Sequence, residues 1–222
     1  MSSQEAEVRE LFFQSLEESV TPVLAGAGFL RSERSYKYVK ETGELKLVVD
    51  TRPSFRPQDR AAMAHVYPSF HVYSAEARAV YCVLQPIQSP NRDKSPLFSS
   101  TLEHLSTVLD KRASRYVYQM EDLGAVLRDL GEYCRDYVVP LASRLESLDD
   151  AIELRSEYEL LFDRVSLAAI AVLKGDPNLA YSLLDEAYPN DEEVRMRELG
   201  HIYRNIEVYF AEAERGSSHL QS

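Results

Sequence analysis

The sequence lacks much of what other protein classes require. Its two cysteines, Cys82 and Cys134, sit in apolar surroundings without CxxC spacing, which excludes a disulfide scaffold and reads as reduced core thiols. A cytoplasmic home is the expectation. Eight glycines and ten prolines in 222 residues are too few for a collagen-like or low-complexity chain. No stretch approaches eighteen consecutive apolar residues, and the start MSSQEAEVRE carries acids where a secretory signal needs a basic, apolar leader. Membrane association and export by the usual route are therefore not expected. Positive charge is scarce too: 25 Lys and Arg against 36 Asp and Glu leave a net charge of -11. That argues against a general nucleic-acid coat, because phosphate affinity comes from cationic side chains displacing counterions.

Motifs for common chemistries are missing as well. No GxxxxGK[ST], GxSxG, HExxH or paired CxxC pattern occurs, so phosphate-loop, nucleophile-elbow and zinc readings have no anchor. Gly26-Ala27-Gly28 opens like GxGxxG, but Arg31 holds the last position and the run follows a helical pattern; it is a helix stop. No cofactor and no metal site is implied, no catalytic residue is nominated, and the reading leans away from an enzyme.

What is present is an ordinary globular composition, 45% hydrophobic and 27% charged, enough for one domain over residues 1–222. Val8, Leu11, Phe12, Leu16, Val20, Val23 and Leu24 predict an amphipathic helix broken at Pro22. From Ser35 the period becomes two, and strands around Tyr36–Lys40 and Leu45–Val49 flank a turn at 41–44. A second hairpin is expected between His65–Tyr73 and Arg78–Leu84, with Pro68 confining its first strand to an edge or delaying it to Ser69. Residues 85–98 read as a surface loop. Ser100–Glu103 reads as a capping box opening a short helix through Leu109, and 115–120 as a last strand.

From Leu123 the pattern is helical, with a stop or bend at Pro140. Ser156–Glu159 reads as a second capping box, opening a helix through the apolar run Leu167–Leu173; Gly175-Asp176-Pro177 ends it. A helix from 178 to 188 and another from 191 to about 214 follow, the latter capped by Asn190 with Glu193. The fold class is α+β: an N-terminal helix and an antiparallel sheet of about five strands over 1–122, a helical layer over 123–214, and a loose tail at 215–222.

Charge separates the two parts. Residues 1–120 hold 15 basic and 14 acidic side chains, and 121–222 hold 10 and 22. Solvated helix faces explain most of this; the functional alternative is an acidic surface that docks a basic protein partner. Two other features invite a ligand. Tyr36, Tyr38 and Lys40, joined by His71, Tyr73, Tyr116 and Tyr118, would stack bases or a planar ligand if exposed, although strand packing is the favoured reading. Arg52, Arg56 and Arg60 lie on a proline-stiffened loop suited to a carboxylate or phosphate, against a solvated loop with Asp59 as local partner. His65 and His71, roughly 20 Å apart on a continuous strand, do not share a metal.

The layout of an amphipathic helix ending in Ala27-Gly28-Phe29, then Arg31, a strand at Tyr36-Lys37-Tyr38 and a second entering Val48-Val49 resembles the bacterial proteins grouped as domain of unknown function 4304. The similarity covers about 8–150, including Tyr116–Met120 and Val139-Pro140-Leu141, and departs at the 52–60 loop. The resemblance brings no catalytic residues, and it implies an immunity-like role only in that some related small bacterial α+β proteins act as immunity proteins beside toxins. The leading expectation is thus a bacterial, non-enzymatic, immunity-like protein-interaction module; the alternative is a small-ligand or nucleic-acid-binding domain using the tyrosine-rich face and arginine loop.

Overall fold

A stripe of Val8, Phe12, Leu16, Val20 and Leu24, one every four residues and all buried, makes the N-terminal segment helical. It forms α1 (Ser3–Ser19) and α2 (Thr21–Gly26), with Pro22 in the first turn of the second, where its missing amide costs nothing. The computed structural model describes residues 3–86, 94–106 and 113–218. Gly28, at φ +86°, turns the chain into β1 (Leu30–Arg31). The expected hairpin follows as β2 (Lys37–Thr42) and β3 (Leu45–Asp50), in a register pairing Tyr38 with Val49 and Lys40 with Leu47.

Beyond the hairpin the chain departs from the alternation. Pro53–Ser54 is β4, Ala64–Val66 is β5 and Ser69–Tyr73 is β6. Pro68 interrupts the ladder as expected, and the two pieces fall in different sheets. The second hairpin is absent: Ala75–Leu84 is helix α3, started by the Ser74 hydroxyl, which accepts the Ala77 N–H at 3.4 Å. Buried Ala77, Val80 and Leu84 follow a three-and-four spacing, so the helical period overrides a weaker alternation. The surface-loop reading of 85–98 is replaced at its end by β7 (Phe98–Thr101), and its centre, with Pro90, Asn91 and Asp93, lies outside the described residues.

The helix expected from Ser100 reduces to a 3-10 turn, Leu102–Leu105, because the Ser100 hydroxyl pairs with His104 Nδ1 at 2.7 Å instead of capping. Val108 and Leu109 lie outside the described residues. The last strand, β8, is Arg115–Val117. The order β1-β2-β3-β6-β7 makes a five-stranded sheet, antiparallel across β1-β2-β3, and β4-β5-β8 makes an antiparallel sheet of three.

The chain divides into two compact units. The first joins the residues through Val72 to Ser99–Leu161 and holds both sheets except Tyr73 and Phe98, with α1, α2, α4 (Asp122–Tyr133), α5 (Val139–Arg144) and α6 (Leu148–Glu153). At Pro140 the helix does not stop; a π-helical turn, Cys134–Val138, leads α4 into α5. Gly131 lets α4 touch α1, since a Cβ there would stand 2.4 Å from the Ser19 carbonyl oxygen. Cys134 is fully buried, and burial pushes its thiol up to about 12.

The second unit joins Tyr73–Phe98 to the chain from Phe162 onward and contains α3, α7 (Arg164–Leu173), α8 (Pro177–Asp185) and α9 (Glu192–Ser218). Ser166 to Val172 are all buried, as the all-round apolar run implied. The caps, however, sit elsewhere than the sequence suggested. Residues 157–163 turn without forming a helix, and α7 starts beneath Asp163, whose carboxylate accepts the Ser166 N–H at 2.9 Å. The reciprocal capping box is Ser147 with Asp150, opening α6. Burial alone would raise the Asp150 pKa, but the Glu146 N–H, the Ser147 hydroxyl and the Ser147 N–H hold it below the usual range. Asp191, not Asn190, takes the Val194 N–H at 2.9 Å at the start of α9. That helix continues through 215–218, where a loose tail was expected, and 219–222 lie outside the described residues.

Candidate ligand-binding cleft

The first sequence candidates, Tyr36 and Tyr38, belong to the core side of the larger sheet. Tyr38 is 1% exposed, its hydroxyl is 2.9 Å from Thr21 Oγ1, and the Arg31 guanidinium lies over its ring. Tyr36 stacks on Phe13 of α1 at 4.8 Å and meets Phe12 edge-on. Burial raises both phenol pKa values, against the pull of nearby arginines. Lys40, on the same side, donates from Nζ to the Ala142 carbonyl at 2.8 Å. Packing is thus what these three residues do.

His71 is held elsewhere. Its Nε2 is 2.8 Å from Ser69 Oγ and its Nδ1 is 2.8 Å from Ser99 Oγ. Burial lowers its pKa, Asp50 opposes that shift, and Lys37 adds to it. Tyr73 ends β6, half-buried, and is the first residue of the second unit. Arg60 lines a separate hollow with Phe55 and Val8. Of the seven candidates, Arg52 and Arg56 meet in one cavity.

That cavity is an open cleft of about 740 Å³ between the 52–58 loop and the outer face of the small sheet. Alternation builds the floor. Ala64, Val66 and Val117 point inward and are buried, so the paired set Ser54, His65 and Tyr116 forms a row across β4, β5 and β8 on the other face. His65 stacks on Tyr116 with ring centroids 4.1 Å apart and planes at 10°, and Tyr67 lies 5.5 Å from His65. Tyr67 is 49% exposed and Tyr116 is 37% exposed. Aromatic side chains thus line a cavity instead of a core.

The rim supplies charge. Among the described residues, Arg52 and Arg56 line the cleft and no carboxylate does. Arg52 has Asp50 at 3.7 Å, whereas Arg56 is exposed with no carboxylate partner among the described residues. Asp59 is not the local partner the sequence suggested for the arginines. Its Oδ1 accepts the Ala61 N–H at 2.9 Å and its Oδ2 the Tyr118 hydroxyl at 2.8 Å, and these bonds, in that order, lower its pKa. The second bond ties the loop that carries Arg56 to the residue after β8. His65 Nε2 is fixed by Ser114 Oγ at 2.7 Å.

A second cavity, about 370 Å³, shares Tyr67 as a wall. Among the described residues, Ser69, Ser99, Ser100, Thr101, His104 and Leu160 line the rest of it.

Sequence reasoning missed His65 and Tyr67 as site residues. The available signal was their alternation beside a loop with prolines at 53 and 57, which marks a short strand with a free face.

Comparison with known proteins finds no matching family model, no similar curated protein and no similar solved structure. Among the described residues no group of three or more His, Cys, Asp or Glu could hold a metal ion, and no helix is long and apolar enough to cross a membrane.

Proposed function

We propose that this protein is a ligand-binding module whose cleft takes a planar, anionic small molecule of the nucleotide kind. The observation that carries this reading is the part-exposed His65–Tyr116 stack lining one cleft with two arginines and, among the described residues, no carboxylate, in a chain of net charge -11. A ring system gains from an aromatic floor and a phosphate from guanidinium donors, and the two groups sit within one cavity. The test is calorimetric titration with adenosine monophosphate, adenosine and inorganic phosphate. The nucleotide is expected to bind at least tenfold more tightly than either part, and Tyr116→Ala and Arg56→Ala each to weaken it at least fivefold. Equal, negligible binding of all three by the folded protein overturns the reading.

A second reading keeps the expected interaction surface. Residues 121–161 carry eleven carboxylates against four arginines, and ten of the eleven are exposed. Such a surface speeds encounter with a basic protein, as an immunity-like role and the family resemblance would require. Pull-down at low salt from a bacterial source, followed by elution at 0.5 M salt, is the expected behaviour; salt-insensitive association counts against it.

A further inference from the structure

We infer that the occupant is a nucleotide carrying a neutral polyhydroxyl group, the nucleoside diphosphate sugar class, and that the sugar sits in the second cavity. This rests on the cleft reading above. Three observations order the ligand. The Ser54–His65–Tyr116 row is a floor for a base. Arg52 directly precedes β4 and Tyr67 directly follows β5 where Pro53 pairs with Val66, so antiparallel pairing carries both to the next position of the ladder, where a diphosphate would leave the base. Beyond Tyr67, which walls both cavities, the lining changes character: among the described residues it is three serines, one threonine, one histidine and one leucine, with no carboxylate, lysine or arginine.

That lining suits a neutral sugar. Serine and threonine hydroxyls each donate once and accept twice, so Ser99, bonded to His71, and Ser100, which donates to the Leu160 carbonyl at 3.4 Å and pairs with His104, each keep at least one acceptor site toward further hydroxyls. Leu160, 69% exposed, and Tyr67 offer apolar surface to the C–H face of a pyranose. The cavity of about 370 Å³ has room for one such ring, and the cleft of about 740 Å³ for the nucleotide. A polynucleotide is the poorer fit, because no cation among the described residues of the second cavity would meet its next phosphate.

The experiment compares ADP with ADP-glucose, ADP-ribose and UDP-N-acetylglucosamine, the last against UDP, using the full chain. At least one sugar nucleotide is expected to bind more than fivefold tighter than its parent diphosphate. His104→Ala and Leu160→Ala, both exposed and outside the cleft, should remove that gain and leave diphosphate binding unchanged. If the diphosphates bind but no sugar adds fivefold, the cleft stands and this inference falls. A sugar gain untouched by both variants also overturns it, since the sugar would lie elsewhere. Failure of the diphosphates themselves defeats the cleft reading and this one with it.

Discussion

Two tyrosine-bearing regions of the first unit share one sequence pattern and end in opposite environments. On β2 and the residues before it, Tyr36 and Tyr38 lie beneath α1 and α2, where Phe12, Phe13 and Thr21 meet them. On β5, β8 and their extensions, Tyr67, Tyr116 and Tyr118 keep between 37% and 49% of their surface in water. Alternation alone says that a strand has two faces, and it is the element laid over a face that decides which one becomes core. In the small sheet the inward positions are filled by Ala64, Val66 and Val117, which leaves the aromatic face to the cleft.

The sharpest break of this comparison is a matched pair of truncations. Tyr38→Ala should cost about 3–5 kcal/mol of unfolding free energy, because it empties a covered position and strands the Thr21 hydroxyl. Tyr116→Ala should cost no more than about 1 kcal/mol, the worth of a cross-strand pair. Urea denaturation of both variants measures the difference. Equal losses would mean that the outer tyrosines are structural too, and the cleft would lose its standing as a site.

A smaller effect tests the covering helix itself. The Ser19 carbonyl oxygen stands 2.4 Å from where a Cβ on Gly131 would be, and it and the other two nearest atoms, Ser19 C and Val20 N, all belong to backbone, so α1 and α4 must separate to admit a methyl group. Gly131→Ala should destabilise the protein by about 1–3 kcal/mol and loosen the Tyr36–Phe13 stack, read as lost near-ultraviolet circular dichroism. Binding at the cleft, on the other sheet, should persist. A neutral outcome would show that the helix pair tolerates a wider spacing and that the cover over Tyr36 is softer than the packing implies.

Much of this architecture was legible because local signals agreed with one another. The four-residue stripe of α1, the hairpin about Gly43 and the stop at Gly175, which has φ +78°, each rest on neighbours in sequence. The failures have a common cause: short segments with two self-consistent readings. Arg78–Leu84 alternates acceptably, yet Ser74 caps it as a helix, and Ser100 looks like a cap until His104 takes its hydroxyl. The site was half visible. Arg52 and Arg56 were marked by the prolines around them, but the floor depended on pairing Ser54 with His65 and His65 with Tyr116, over sequence separations that no local period reports.

His71 occupies an environment between the covered and the open tyrosines, and its protonation gives the smallest of these effects. A neutral imidazole offers one donor and one acceptor, which suits a ring placed between Ser69 and Ser99, each at 2.8 Å. Protonation turns both nitrogens into donors and places charge on a half-buried ring. Burial therefore lowers the folded-state pKa, with Asp50 opposing and Lys37 adding to the shift. The unfolded chain takes up the proton first, near pH 6.5, so below that value it binds more protons than the native state and stability declines until the native ring is protonated as well. Urea midpoints followed from pH 7.5 downward should fall more steeply for the wild-type protein than for His71→Gln. A slope that the substitution leaves unchanged would assign the pH dependence to other groups. A wild-type slope of the opposite sign would mean that attraction to Asp50 outweighs burial, placing this row nearer in character to the solvent-facing floor of the cleft than to the packed side beneath α1.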